Sequence, residues 1–188
     1  MKKIFGILFL FPLWVSAQEI NLEEKAFSSV RLAGEAGFIY PLGDLRDAIE
    51  NSYYGLAEFR YRYRGSFWGF LQFGYSYVRT HDWVEFPGVH QFNGRVGLDV
   101  SAEWIRPLRF GGGFSCVWLR ADGTDKEVEN TELSSNESEF GWFARADLPI
   151  LILENYQAGV RLYGEQIWSL PEASTSIWFG IYVERRLW

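Results

Sequence analysis

The chain has 188 residues, a formal net charge of −6, 19% aromatic residues and nine tryptophans. An acidic chain lacks the basic face that phosphate backbones require, which argues against nucleic-acid binding. The single cysteine, Cys116, rules out an intramolecular disulfide, so stability must come from the fold or from a surrounding bilayer.

The N-terminus has the three-part layout of a secretory signal. Lys2 and Lys3 are followed by an apolar run, Ile4 to Val15, and then by small residues at Ser16 and Ala17. Residues 1–17 are therefore expected to be a signal peptide, and residues 18–188 the exported domain. The apolar run is shorter than the roughly 20 residues of a spanning helix. Without Lys2 and Lys3 the formal charge becomes −8. No cysteine lies near the cleavage point, so a lipid-anchored N-terminus is not expected. Beyond the signal no apolar stretch is long enough for a spanning helix, and the mean hydropathy is only −0.11.

The rest of the chain alternates with period two, the mark of strands whose faces meet different surroundings. Eight segments are expected. In the first, Ser28 to Tyr40, Val30, Leu32, Ala36, Phe38 and Tyr40 oppose Arg31, Glu35 and Gly37. In the second, Tyr53 to Arg64, Ala57, Phe59, Tyr61 and Tyr63 alternate with Glu58, Arg60, Arg62 and Arg64. The third, Phe67 to Arg79, sets Leu71, Phe73, Tyr75 and Tyr77 against Gln72, Gly74 and Ser76. The fourth, Val89 to Ile105, sets Phe92, Val96, Leu98, Val100 and Trp104 against Asn93, Arg95, Asp99 and Glu103. The fifth, Leu108 to Arg120, has Phe110, Phe114, Cys116 and Trp118 on one side, with glycines and Ser115 on the other. The sixth, Glu139 to Leu148, sets Phe140, Trp142, Ala144 and Leu148 against Arg145 and Asp147. The seventh, Tyr156 to Ile167, sets Ala158, Val160 and Leu162 against Gln157, Arg161 and Glu165. The eighth, Ser176 to Trp188, sets Ile177, Phe179, Ile181 and Val183 against Gly180, Glu184 and Arg186.

The connections alternate too. The odd ones are long: Pro41 to Ser52, Thr80 to Gly88, Ala121 to Ser138 and Ser169 to Thr175. The even ones are shorter: around Gly65-Ser66, around Pro107, and Pro149 to Asn155. Short periplasmic turns and long outside loops are the habit of outer-membrane barrels. The expected fold is all-β, an eight-stranded antiparallel up-and-down transmembrane barrel with its apolar face to lipid. Eight strands leave an interior just wide enough for side chains, so the inward charges should pair across it. A soluble barrel with a charged exterior would instead need a core built from Phe59-Tyr61-Tyr63 and Phe73-Tyr75-Tyr77, which is very aromatic for so small a barrel.

Two local features carry a resemblance. Strand one leaves through Gly37-Phe38-Ile39-Tyr40-Pro41-Leu42-Gly43-Asp44-Leu45, and the chain ends on Trp188. With the alternation, these resemble the outer membrane protein β-barrel superfamily, in particular its small eight-stranded OmpA/OmpX-like members. The resemblance implies a place in the outer membrane among lipid and lipopolysaccharide. It also implies recognition of the last strand, ending at Trp188, by the barrel-assembly machinery. The family usually has an aromatic or apolar residue two before the end, where this chain has Arg186.

Little chemistry is expected. The two histidines, His81 and His90, flank the second long loop. His81-Asp82 with Ser76 would be the one route to a lipid A-modifying enzyme, and it would require Ser76 and His81 to share a face. One cysteine and two histidines give no zinc spacing. The acidic stretch from Asp122 to Glu139 lacks the ordered ligands and turn glycine of a calcium loop. Cys116 reads as a small apolar residue on the lipid face. Arg60, Arg62 and Arg64 form a basic row that either sets anion selectivity in a pore or pairs with Glu58, Glu35 and their neighbours. The leading expectation is a non-enzymatic barrel, without cofactor or metal, that has a structural or surface-interaction role and meets an extracellular partner through its loops. A small pore and a His81 enzyme are the alternatives.

Overall fold

In the computed structural model, the described residues are 29–80, 88–101, 107–122, 136–168 and 173–187. They form β1 (Val30–Leu42), α1 (Leu45–Ala48), β2 (Ser52–Arg64), β3 (Phe67–Val78), β4 (Gly88–Val100), β5 (Arg109–Asp122), β6 (Asn136–Ile152), β7 (Tyr156–Trp168) and β8 (Ser174–Arg186). Every strand pairs antiparallel with its chain neighbours, and β1 pairs with β8, so the sheet closes into an eight-stranded up-and-down barrel. Closure satisfies the edge hydrogen bonds that an open sheet would leave bare in lipid. The expected fold and the eight expected strands are present. The signal segment and His81 lie outside the described residues, as do Trp188, Glu103, Trp104 and most of the acidic loop.

The strand ends differ from expectation in two places. β6 does not stop before Pro149 but continues to Ile152. Proline cannot donate to the ladder, and the pairing with β7 shifts register between Pro149 and Leu151, which lets the strand pass through it. A second shift, between Arg62 and Arg64, takes Arg64 out of the inward row, so the expected three-arginine row holds only Arg60 and Arg62. β4 is described to Val100, and the expected continuation to Ile105 falls on residues 102–106, outside the described residues. At the other end, Gly43 (φ 60°) makes the turn after Pro41-Leu42, where a side chain would be strained.

The apolar face points outward, as its period demands. Leu32, Phe59, Phe73, Val96, Leu98, Phe114, Leu162 and Ile181 are all exposed large apolar groups. Tyr53, Trp118 and Trp168 are exposed near the loop end, and Tyr63 and Tyr156 near the turn end. Aliphatic and phenyl groups in the middle with amphipathic rings at both ends match the band and girdles of a lipid-embedded barrel.

The inward face is more aromatic than the alternation suggested. Ile39, Tyr54, Leu56, Phe70, Phe143, Tyr163 and Trp178 form one buried cluster inside the barrel. Glycines make room for it. A Cβ on Gly97 would overlap the Phe70 ring tip and the Gly112 carbonyl oxygen. A Cβ on Gly180 would meet the Tyr54 hydroxyl and Glu35.

Candidate functional site

The interior is the chemically distinctive part of the molecule. Each strand places an alternate residue on the lumen, and the inward charges meet there as expected. Among the described residues, Arg31, Arg60, Arg95, Arg109, Arg145 and Arg161 form ion pairs with Glu35, Glu58, Asp99, Asp147, Glu165 and Glu184. The set is formally neutral, as a low-dielectric interior requires.

Most of these charges form one network. Arg60 donates to Asp99 (2.7 and 2.9 Å) and to Glu184 (2.6 Å). Arg145 donates to both Glu58 and Asp99. Arg161 grips Asp147 with two bonds (2.8 and 3.1 Å) and reaches Glu35 (2.7 Å) and Glu58 (3.1 Å). Arg145 stands on β6 and Glu58 on β2, four strands apart in a ring of eight, so their ion pair crosses the full lumen. The remaining lone pairs are also used. Tyr54 and Tyr163 donate to Glu35, and Gln72 donates to Glu58. Arg60 does pair with Glu58 (3.5 Å), as the sequence suggested, but its stronger partners are Asp99 and Glu184.

On the loop side, Arg95 and Glu165 form a separate bidentate pair (3.0 and 2.7 Å). The Arg95 guanidinium lies 4.0 Å from the Trp178 ring centre and 4.9 Å from that of Tyr163. Trp178 in turn packs on Tyr54 at 4.8 Å, and Phe143 links Phe70 and Tyr163. Arg60, Arg95, Arg161, Tyr163, Trp178 and Phe70 are all almost completely buried. Charged and aromatic layers therefore fill the barrel at successive heights. The aromatic layer is not legible in the two-residue alternation. Its signal was adjacent large residues, Trp68 among Phe67 to Leu71 and Trp178 between Ile177 and Phe179, which serve opposite faces.

At the turn end the filling stops short. A recess of about 390 Å³ opens there, with Arg31, Arg62, Arg109, Trp68, Ser101 and Gln157 among its walls. The guanidiniums of Arg31, Arg60 and Arg62 lie 4.7, 5.2 and 5.1 Å from the Trp68 ring centre.

The alternative catalytic route runs through His81 and Asp82, which lie outside the described residues, so of its members only Ser76 is placed. Ser76 faces the lumen, buried, near Gln91 (3.4 Å). His90 meets Tyr75 on the outer face, with Nδ1 2.8 Å from the hydroxyl, and packs against Tyr77. Ser76 and His90 thus sit on opposite sides of the sheet. Among the described residues no cluster of His, Cys, Asp and Glu is arranged to hold a metal. Cys116 is on the outward face of β5, opposite Phe140 of β6.

No protein-family model matches this chain, and no curated protein matches its sequence. Solved structures do match. Neisserial surface protein A superposes with a TM-score of 0.58 at 11% identity, over 83% of this chain and 96% of that one. OprG, an outer membrane protein of Pseudomonas aeruginosa, gives the same TM-score and identity over 87% of this chain and 97% of that one. The fold is that of the small eight-stranded outer-membrane barrels, and the exposed apolar band makes this chain a transmembrane barrel.

Proposed function

We propose that this outer-membrane β-barrel is a closed, non-enzymatic scaffold that displays its four long loops to the exterior. The observation that carries the reading is the filled lumen, above all the Glu58–Arg145 ion pair across its full width. A barrel whose cross-section is occupied by neutralised charge and aromatic rings offers ions no wet path, so transport is the weaker reading. What remains free to act is the loop end. Its third loop carries Asp125, Glu127, Glu129 and Glu132 against Lys126, with Asp122, Glu137 and Glu139 on the adjoining ends of β5 and β6, a charge suited to a basic or cation-bridged partner. In this reading the turn end faces the periplasm, and lipid and lipopolysaccharide surround the band.

Two measurements test it. Reconstituted in planar bilayers, the barrel is expected to show no stepwise conductance, and a stable ion-selective unit conductance would overturn the closed-scaffold reading. In a Cys116→Ser background, Thr124→Cys on intact cells should react with a membrane-impermeant maleimide, and labelling only after cell disruption would reverse the orientation.

A further inference from the structure

Arg185 interrupts the apolar outward face of the last strand. On β8 that face runs through Ile177, Phe179, Ile181 and Val183 and then meets Arg185. Arg185 follows the buried Glu184 and is itself exposed, so it stands on the lipid side of the wall. Its neighbours there are apolar or aromatic on all four sides. Val183 precedes it and Leu187 follows it, while Leu32 of β1 and Tyr156 of β7 are its partners across the sheet. All four are exposed. The guanidinium lies 5.7 Å from the Tyr156 ring centre.

A cation in such a ring needs a counter-charge. The contact with Tyr156 supplies attraction but no negative charge. Glu184 points to the lumen, where it receives Arg31 and Arg60. Glu154, in the turn before Tyr156, is exposed and forms no ion pair with Arg185. Among the described residues no other carboxylate comes within ion-pair distance of Arg185. A charge at the margin of the hydrocarbon is costly without a partner. Tyr156 belongs to the amphipathic rings that mark the membrane–water interface at the turn end. A long arginine stem carries its head to that same level, which is where lipid phosphates lie. A phosphodiester offers two non-bridging oxygens, matched by the paired N–H edge of a guanidinium.

We propose that Arg185, backed by the Tyr156 ring, is a docking site for the phosphodiester of a phospholipid in the leaflet at the turn end. The acyl chains would run along the wall past Val183 and Ile181. The site goes beyond the display role, and it depends neither on a closed lumen nor on which end of the barrel faces outward.

Binding is read at the Arg185 Nε–H resonance, assigned with Arg185→Gln, in barrel refolded in dodecyl maltoside micelles. Dihexanoylphosphatidylglycerol is expected to move that resonance to saturation. Dihexanoylglycerol glucoside has the same chains without the phosphate and is expected to leave it in place. Two variants with the same loss of charge test the placement, read at the Val183 methyl resonances. Arg185→Gln should weaken the affinity at least tenfold. Arg186→Gln changes the next residue, on the opposite face of β8, and should stay within twofold of the parent. Both should keep the heat-modifiable folded band.

A response that is linear in phosphatidylglycerol, or equal for the glucoside, overturns the site. Equal weakening in both variants would reduce it to general charge attraction and overturn it too. A saturable response to inorganic phosphate alone, at constant ionic strength, would overturn the lipid assignment.

Discussion

Replacing Arg95 with methionine tests whether the lumen is held by neutrality or merely by packing. Arg95 and Glu165 are each about 2% exposed, and the pair stands apart from the larger network. Methionine keeps most of the stem volume and can still contact Trp178 and Tyr163 through sulfur. It removes both bonds to Glu165 and leaves a buried carboxylate alone, a change worth about 3–5 kcal/mol. Glu165→Leu should cost a similar amount by stranding Arg95. The double variant removes both charges and replaces them with apolar groups, so it is expected within about 1–2 kcal/mol of the parent. The part not recovered is the Arg95 contact with Trp178, about 0.5–2 kcal/mol. The coupling in this cycle is then several kcal/mol, far above ordinary experimental error. The assay is reversible urea unfolding in lipid vesicles, followed by tryptophan fluorescence and by the mobility shift of unboiled samples. Additive single and double variants, or an Arg95→Met loss under about 1 kcal/mol, would refute the argument that pairing controls this interior.

Three further outcomes are expected. Ile181→Lys places a charge on the lipid face where the side chain is 63% exposed, and should cost about 2–4 kcal/mol in the same unfolding assay if the residue lies near the bilayer midplane. Gly97→Val drives a Cβ into the Phe70 ring and the Gly112 carbonyl oxygen. It should cost at least about 1–3 kcal/mol, and combining it with Phe70→Leu should return only part of that, because the backbone oxygen stays in place. Trp188→Ala should lower the amount of assembled barrel in cells while leaving in vitro refolding yield unchanged, as judged by the heat-shifted band. Equal loss in both settings would place the residue's role in the fold and not in assembly.

The parts legible in the sequence were those that a two-residue period encodes. Leu71, Phe73 and Tyr75 alternate strictly, and so do Ile177, Phe179 and Ile181, because lipid accepts only apolar groups over that span. Alternation gives the face of a residue, however, and not its height in the barrel. Arg95 and Glu165 are 70 positions apart, and only the stagger of β4 against β7 brings them level. The inward aromatics were hidden for a related reason. Where Trp68 or Trp178 occupies the lumen, both faces of the strand are large and the contrast disappears locally. Strand ends were the other gap. Pro149 reads as a stop signal, yet the register shift beside it carries β6 onward to Ile152. The charged half of the interior was legible by residue type, and its partners were not, since each arginine could choose among several carboxylates on other strands. The recess was invisible from the sequence because Arg109, between Leu108 and Phe110 at a strand start, carries no sign of which strands it will face.

The first and last strands meet with Gly37 opposite Gly180, so midway along this joint neither strand has a side chain on the lumen side. A Cβ on Gly37 would overlap the Phe179 carbonyl oxygen, and Tyr54 and Glu35 lie against Gly180. The Tyr54–Glu35 hydrogen bond, joining β2 to β1, therefore spreads over the joint from within like a bolt across a door. Because β1 and β8 are the ends of the strand order, this joint cannot form until both have been delivered. The interior hydrogen bonds and the closing of the wall are thus one event, and a barrel parted at this edge would lose its plug along with its seam.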